Sequence, residues 1–493
     1  MNQLRFAQQE NIGLRFVLDA MAPSSAYGGE ALRQLRPLGR EERPELLRLL
    51  GNIQRVLDGE GVCAQALSAA LRVLMSMKMV RPTAQKCLET GLNEIELFEI
   101  KRFLLQTKEL LPHWHQVQSA LQLEGIAIED ITEALAILDP EGNGVATFYI
   151  ADAAFPALHA LRQEKRDLET RLRQSEDDAE KESLLTRRSE VAAREETEEA
   201  RIREEMSLAL RPYIPALLRN MDAIADFDLT VEKARLARRW GGVMPVLTED
   251  KLSMRQMRSP RMVELLRDRG LEFTPISIDL ERGVTVITGA NMGGKSVALK
   301  TLALNVLLVQ HGFFPFAQAA EVPLFDGMHI LSEDLENVER GLSSFGGEIV
   351  GFNQLAARLD GGLHFVMLDE FARGTNPEEG AAIVKAVTRY LNTHPAITLL
   401  ATHFDGAASL AKAHYQVVGL RQLDLAQLQR ELAGLSGRDG ANHIARYMNY
   451  GLYRVEDSRD CPRDALNICR LLGMAPEILE MVEKNYARET EKC

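Results

Sequence analysis

The 493 residues are 46% apolar and 26% charged, which excludes disordered, collagen-like and disulfide-rich classes and predicts two to four folded domains. With 58 basic against 71 acidic side chains the net charge is −13. That balance repels phosphate backbones at long range, so nucleic-acid contact needs a local basic patch and a generic DNA-coating role is excluded. The cysteines Cys63, Cys87, Cys461, Cys469 and Cys493 are scattered and contain no C-x-x-C pair, which predicts reduced thiols and a cytoplasmic location. The amino terminus lacks the basic-then-apolar run of a signal peptide. The uncharged stretch from Thr301 to Ala320 is interrupted by Asn305, Gln310, His311 and Pro315, so it reads as a buried helix and a turn, with no role for a membrane.

Over residues 1–160 apolar side chains recur at helical spacings, as in Phe103, Leu104, Leu110 and Leu111, predicting packed amphipathic helices. Asp139-Pro-Glu-Gly-Asn-Gly144 breaks the pattern before the β-prone Val145, Thr147, Phe148, Tyr149 and Ile150. A calcium loop would need Glu at its twelfth position and finds Ile150, so a hairpin turn is expected. Residues 161–207 hold 11 basic and 15 acidic side chains with no Pro or Gly, the pattern of a solvated helical hairpin held by i,i+4 pairs. Ile202 to Ala237 reads as another long helix that ends before Trp240-Gly241-Gly242, where the domain boundary falls, so residues 208–245 are a lever helix and linker.

From about residue 270 short β-branched runs alternate with helices. Val284–Thr288, Phe365–Leu368 and Ile397–Ala401 read as parallel strands buried on both faces, so residues 246–493 form an α/β domain. Gly289-Ala-Asn-Met-Gly-Gly-Lys295-Ser296 follows the first of these strands and precedes the helix from Val297 to Gln310. It satisfies G-x-x-x-x-G-K-[ST] in the strand, loop, helix context that phosphate binding requires. Glycines let backbone N–H groups converge on phosphate oxygens, Lys295 neutralises β/γ-phosphates, and Ser296 ligates Mg²⁺. The second strand runs into Asp369-Glu370: Asp369 fits the metal partner of Ser296, and Glu370 the group that orients or deprotonates attacking water. His403, after the third strand, is placed to sense the γ-phosphate.

The segments TGANMGGKS, GLSSFGGEIV, LDEFARGTN and ATHFDG, in this order, resemble the ATPase domain of the MutS family of ABC-type ATPases over about residues 255–480. Asp152–Arg162 and Asp226–Leu236 resemble the core and lever of its MutS2-like branch. The resemblance implies a multidomain chain: an all-α helical core with a projecting helical hairpin in place of the DNA clamp, then an α/β P-loop ATPase domain. It implies ATP and Mg²⁺ as ligands and Gly289, Asn291, Met292, Gly293, Gly294, Lys295 and Ser296 as the phosphate loop. It also implies a homodimer, or a heterodimer with a MutS-like paralogue, in which Ser343 reaches the γ-phosphate bound by the other subunit. Phe273 would stack on adenine, with Tyr453 standing where the family often has His on the opposite face of the base.

Departures from the family pattern shape the functional expectation. No mismatch-reading domain or connector is expected ahead of the core, and no small nuclease domain after Cys493. Arg463-Asp464-Ala465 replaces Ser-Tyr-Gly of the mismatch-repair branch, and Gly346-Gly347 replaces two larger apolar residues. One expectation is a DNA-linked ATPase with weak DNA binding and no mismatch preference. A second is an ATP-driven reactivase for a partner enzyme, similar to those of cobalamin-dependent aminomutases such as lysine 5,6-aminomutase. A third is a nucleotide-binding structural dimer with negligible turnover.

Overall fold

Helical periodicity dominates the first half of the chain up to Trp240, and so do the helices, with a break between Leu138 and Pro156. The computed structural model describes residues 6–145, 147, 149–150, 154–289, 294–332, 344–404, 406–419, 428, 430–431, 447, 449–456, 469–471 and 474–490. The first helices are α1 (Phe6–Ile12), α2 (Leu14–Asp19), α3 (Ala26–Arg33), α4 (Arg43–Gly59), α5 (Ala64–Ser76), α6 (Arg81–Glu89), α7 (Glu94–Leu121) and α8 (Glu133–Leu138). Three long ones follow, α9 (Pro156–Gln174), α10 (Asp178–Leu210) and α11 (Ile214–Trp240).

Two compact units emerge. One comprises residues 22–35 and 52–232, the other the segment ending at Met21, residues 36–51 and everything from Lys233. The expected boundaries kept 1–160 together; the segment ending at Met21 and residues 36–51 group instead with the carboxy-terminal half. The reason lies in a helix there, α13 (Lys295–Gln310), which is buried almost all round. A helix apolar on every side needs cover on every side, and α1 and α2 lie against it. The Leu38 amide donates to the Gln310 carbonyl at 2.7 Å, and Gln310 Nε2 donates back to the Leu38 carbonyl at 3.2 Å.

In the helical unit, α7 starts at a capping box: the Asn93 side chain accepts from the Glu96 amide and the Asn93 amide donates to Glu96, satisfying two donors that a helix start leaves unpaired. Asp228, buried on α11, accepts from the Ser24 and Ser25 amides and from Ser25 Oγ. Its carboxylate thereby fills the amino end of α3. The turn at Asp139 forms, but no strand follows among the described residues up to Ile150. Asp139 instead accepts from the Gly144 amide at 2.7 Å and pairs with buried Lys101 at 3.2 Å. Burial pushes this carboxyl up, yet those two partners outweigh it and hold it below its usual range. Helices α9 and α10 form the charged hairpin, closed by Leu161, Leu168, Leu184 and Val191.

The other unit carries two sheets. A four-stranded one has the order β1-β5-β2-β3, from β1 (Val246–Thr248), β2 (Leu252–Met257), β3 (Ile276–Leu280) and β5 (Ala319–Pro323). A six-stranded one has the order β10-β9-β4-β8-β7-β6, from β4 (Gly283–Thr288), β6 (Gly327–Leu331), β7 (His364–Asp369), β8 (Ala396–Ala401), β9 (Ala413–Gly419) and β10 (Asn449–Arg454). All its pairs are parallel except β9 with β10. The helices α12 (Pro260–Arg267), α14 (Ser344–Ala356), α15 (Pro377–Leu391) and α16 (Pro476–Thr490) complete the described elements. Val284, Val286, Val366, Leu368 and Leu400 pack on one face of the large sheet with Leu355 of α14 and Val384 and Leu391 of α15. No helix among the described residues is long and apolar enough to cross a membrane.

Candidate functional site

Strands β4, β7 and β8 are buried nearly throughout, as their unbroken apolar runs require. Their parallel register aligns Ile287 with Ala401 and Ala401 with Asp369. The chain segments that leave these strands therefore emerge along one edge of the sheet: Gly289 from β4, Glu370 from β7, and Thr402 and His403 from β8. This is the carboxyl edge, where open α/β sheets bind ligands.

Helix α13 opens at that edge. Its N-cap is Gly294 with φ 83°, a left-handed backbone that favours glycine. A Cβ there would also stand 2.6 Å from Cδ1 of Tyr450, so the Tyr450 ring lies against the glycine and excludes any side chain. Lys295 Nζ donates to the Gly289 carbonyl at 2.7 Å and lies 3.7 Å from Glu370 Oε1. Its side chain is only 3% exposed, and this burial holds the ammonium below the usual lysine range against the pull of Glu370 and Asp369. Ser296 Oγ donates to Asp369 Oδ1 at 2.9 Å. Burial raises the Asp369 carboxyl above its usual range, opposed by the Ser296 bond and by Lys300 and Lys295.

Glu370 occupies a left-handed backbone, φ 53°, and Ala372 another, φ 63°. Non-glycine residues pay about 1 kcal/mol or more for such conformations and keep them only where surroundings enforce them. Here the Glu370 amide donates to the Ala401 carbonyl at 3.0 Å and the Ala372 amide donates to Glu348 Oε2 at 2.7 Å. Arg373 Nη1 donates to Glu370 Oε2 at 2.7 Å.

Lys295, Ser296, Asp369, Glu370 and Gly289 thus meet in one cluster, with Gly294 at its helix end. His403 is exposed at the end of β8, its ring 4.4 Å from that of Phe404. Phe273 is half-buried in the segment before β3. A Cβ at Gly451 of β10 would lie 3.8 Å from Thr274, so the Phe273 segment runs beside the strand that carries Tyr453. The Tyr453 hydroxyl donates to Gln416. Asn291, Met292, Gly293 and Ser343 lie outside the described residues. Sequence reasoning missed Arg373, Glu348, Gln416 and Tyr450. Arg373 was open to discovery as a cation three residues after Glu370; the others depend on long-range pairing.

A buried ammonium beside a helix amino end, and a hydroxyl bound to a desolvated carboxylate, form a donor set that suits a nucleotide phosphate with a divalent cation. Residues 285–464 match the family MutS domain V. An endonuclease MutS2 of Levilactobacillus brevis is 27% identical over 434 residues, covering 74% of this chain and 54% of the relative. Endonucleases MutS2 of Thermomicrobium roseum and Symbiobacterium thermophilum are 32% and 30% identical, over 62% and 55% of this chain and 39% and 34% of theirs. The chain therefore spans about half the length of the first relative and little more than a third of the other two. Residues 285–464 are thus similar to MutS domain V, and the chain is similar to MutS2 proteins over a wider span.

Proposed function

We propose that the carboxy-terminal unit is an ABC-type P-loop domain that binds and hydrolyses ATP, and that the chain is a dimeric, nucleotide-driven switch of DNA repair or recombination type. The observation that carries this reading is the cluster in which Ser296 donates to Asp369 while buried Lys295 bridges Gly289 and Glu370. Lys295 would move from the Gly289 carbonyl to the phosphates. Ser296 and Asp369 would hold Mg²⁺, which when bound neutralises charge on the phosphate oxygens. Glu370 orients the attacking water and takes its proton, and His403 stands near the transferred group. The loop Gly289, Asn291, Met292, Gly293 and Gly294 cradles phosphates, and Phe273 and Tyr453 flank the base. Ser343 serves the facing site across a homodimer or paralogue heterodimer.

The test is ATP binding and phosphate release with three variants. Lys295→Ala should lose binding or turnover, Glu370→Gln should bind without hydrolysing, and Ser343→Ala should bind but turn over slowly. Unchanged turnover in Lys295→Ala would refute the reading.

A second reading, ATP-driven reactivation of a partner enzyme such as a cobalamin-dependent aminomutase, is favoured by the state of the hairpin cations. Arg187 pairs with Glu164 and Glu190, and Arg188 with Glu169, so these two do not offer free charge to phosphates. With the net charge of −13, DNA binding should be weak, salt-sensitive and blind to mismatches. Retention of an enzyme and not of duplex DNA by the ATP-trapped Glu370→Gln form would select the second reading.

A further inference from the structure

Behind the phosphate loop runs a row of polar side chains that the site described above does not use. Backbone register sets the row: Thr288 lies opposite Gln416 across β4 and β9, and Gln416 opposite Tyr453 across β9 and β10. Paired residues of neighbouring strands project to the same face, so the three side chains stand side by side. Tyr453 O–H donates to Gln416 Oε1. The amide so oriented presents Nε2 to Thr288 Oγ1 at 3.4 Å, and Thr288 Oγ1 lies 2.7 Å from Nε2 of His414. Thr288, Gln416 and His414 are all buried.

Thr288 Oγ1 accepts from the Gln416 amide, and a hydroxyl both donates once and accepts twice, so its bond with His414 Nε2 runs in the direction the imidazole tautomer sets. His414 Nδ1 is buried and has no hydrogen-bond partner among the described residues. Burial also holds the ring below the usual histidine range. Apolar side chains of the same shape would fill this space without stranding a buried polar nitrogen, so packing alone does not account for the row.

We propose that the Tyr453 hydroxyl, Gln416 and Thr288 are positioning residues for the nucleotide: they tie β10 to the last residue before the loop. The carbonyl of the next residue, Gly289, holds the Lys295 ammonium. A shift of β10 therefore reaches the root of the loop through two hydrogen bonds, Tyr453 to Gln416 and Gln416 to Thr288, and Tyr453 acts through its hydroxyl as well as its ring. This inference rests on the ATP-binding reading above.

The experiment is a double-mutant cycle on ATP affinity and binding stoichiometry in the full chain. Tyr453→Phe and Gln416→Leu should each weaken ATP binding about fivefold at unchanged stoichiometry, and the double variant should be no weaker than the weaker single. A merely structural role would lower the number of competent sites and leave their affinity alone. Thr288→Ser should bind as the wild type does, and Thr288→Val should resemble Gln416→Leu. If Gln416→Leu fails to fold, Tyr453→Phe with Thr288→Val completes the same cycle. Wild-type affinity in Tyr453→Phe, or effects that multiply to about 25-fold, would overturn this inference alone. A wild-type chain that does not bind ATP would overturn the ATP-binding reading with it.

Discussion

The hairpin of α9 and α10 and the six-stranded sheet are both built from long regular elements, but opposite interactions hold them. Leu161, Leu168, Leu184 and Val191 make a thin apolar seam in the hairpin, edged by Arg162 with Glu195 and Glu199, Lys165 with Glu195, and Arg187 with Glu164. The sheet buries whole strands and meets α14 and α15 through a continuous apolar face. Apart from the largely buried Arg162–Glu195 pair, the hairpin's ion pairs are at least partly exposed, add little stability and are screened by salt, whereas each buried leucine contributes about 2 kcal/mol. The hairpin is therefore suited to local opening, and the sheet to holding left-handed Glu370 and desolvated Lys295 in place.

The sharpest way to break this contrast is at the sheet edge. Glu370→Gln should cut phosphate release by about 100-fold or more, worth about 2.7 kcal/mol, with ATP binding retained; rapid turnover would remove the chemical reason for the strained backbone. Next in size is a pair of truncations. Leu400→Ala should cost about 2–5 kcal/mol of the cooperative unfolding of its unit, read as a fall in the urea midpoint. Leu168→Ala should instead speed amide exchange in α9 and α10 while leaving exchange in β4 and β8 unchanged. Equal exchange effects in both regions would mean that the hairpin is not a separate local unit.

A smaller effect comes from His311, at the carboxyl end of α13. Its ring Nδ1–H donates to the Leu307 carbonyl at 2.7 Å, and burial pulls its pKa from 6.5 to about 4. The unfolded chain then binds a proton that the folded one refuses. Stability from this group is fully present above the unfolded value and is lost as pH falls toward the folded one. Between pH 7 and 5 the wild type should lose about 2 kcal/mol more than His311→Leu, measured by urea titration at each pH. The least effect is expected on the hairpin surface. Arg188→Gln removes the exposed pair with Glu169 and should leave the melting midpoint in place. A clear drop would show that the charge lattice stabilises more than the seam does.

Much of the site was legible before folding. The strands expected at Val284–Thr288, Phe365–Leu368 and Ile397–Ala401 are β4, β7 and β8, and the helix expected from Val297 is α13. The hairpin expected over 161–207 occupies α9 and α10. These readings succeeded because periodicity and glycine placement are local. The turn expected at Asp139 forms, with one carboxylate oxygen accepting from the Gly144 amide and the other from Lys101, 38 residues away.

By itself the sequence determined the strand, loop and helix around Lys295, the Asp-Glu pair after a buried strand, and the alternation of charge that makes a solvated hairpin. Each follows from the conformational preferences of neighbouring residues and from which faces must leave water. Only the tertiary structure decided that Glu370 adopts a left-handed backbone, that Glu348 holds the amide of Ala372, and that Gln416 stands between Tyr453 and Thr288. Gln416 and Thr288 are 128 residues apart in the chain. No local propensity can specify such a pair, because strand register is fixed by the apolar faces that several distant segments must bury together.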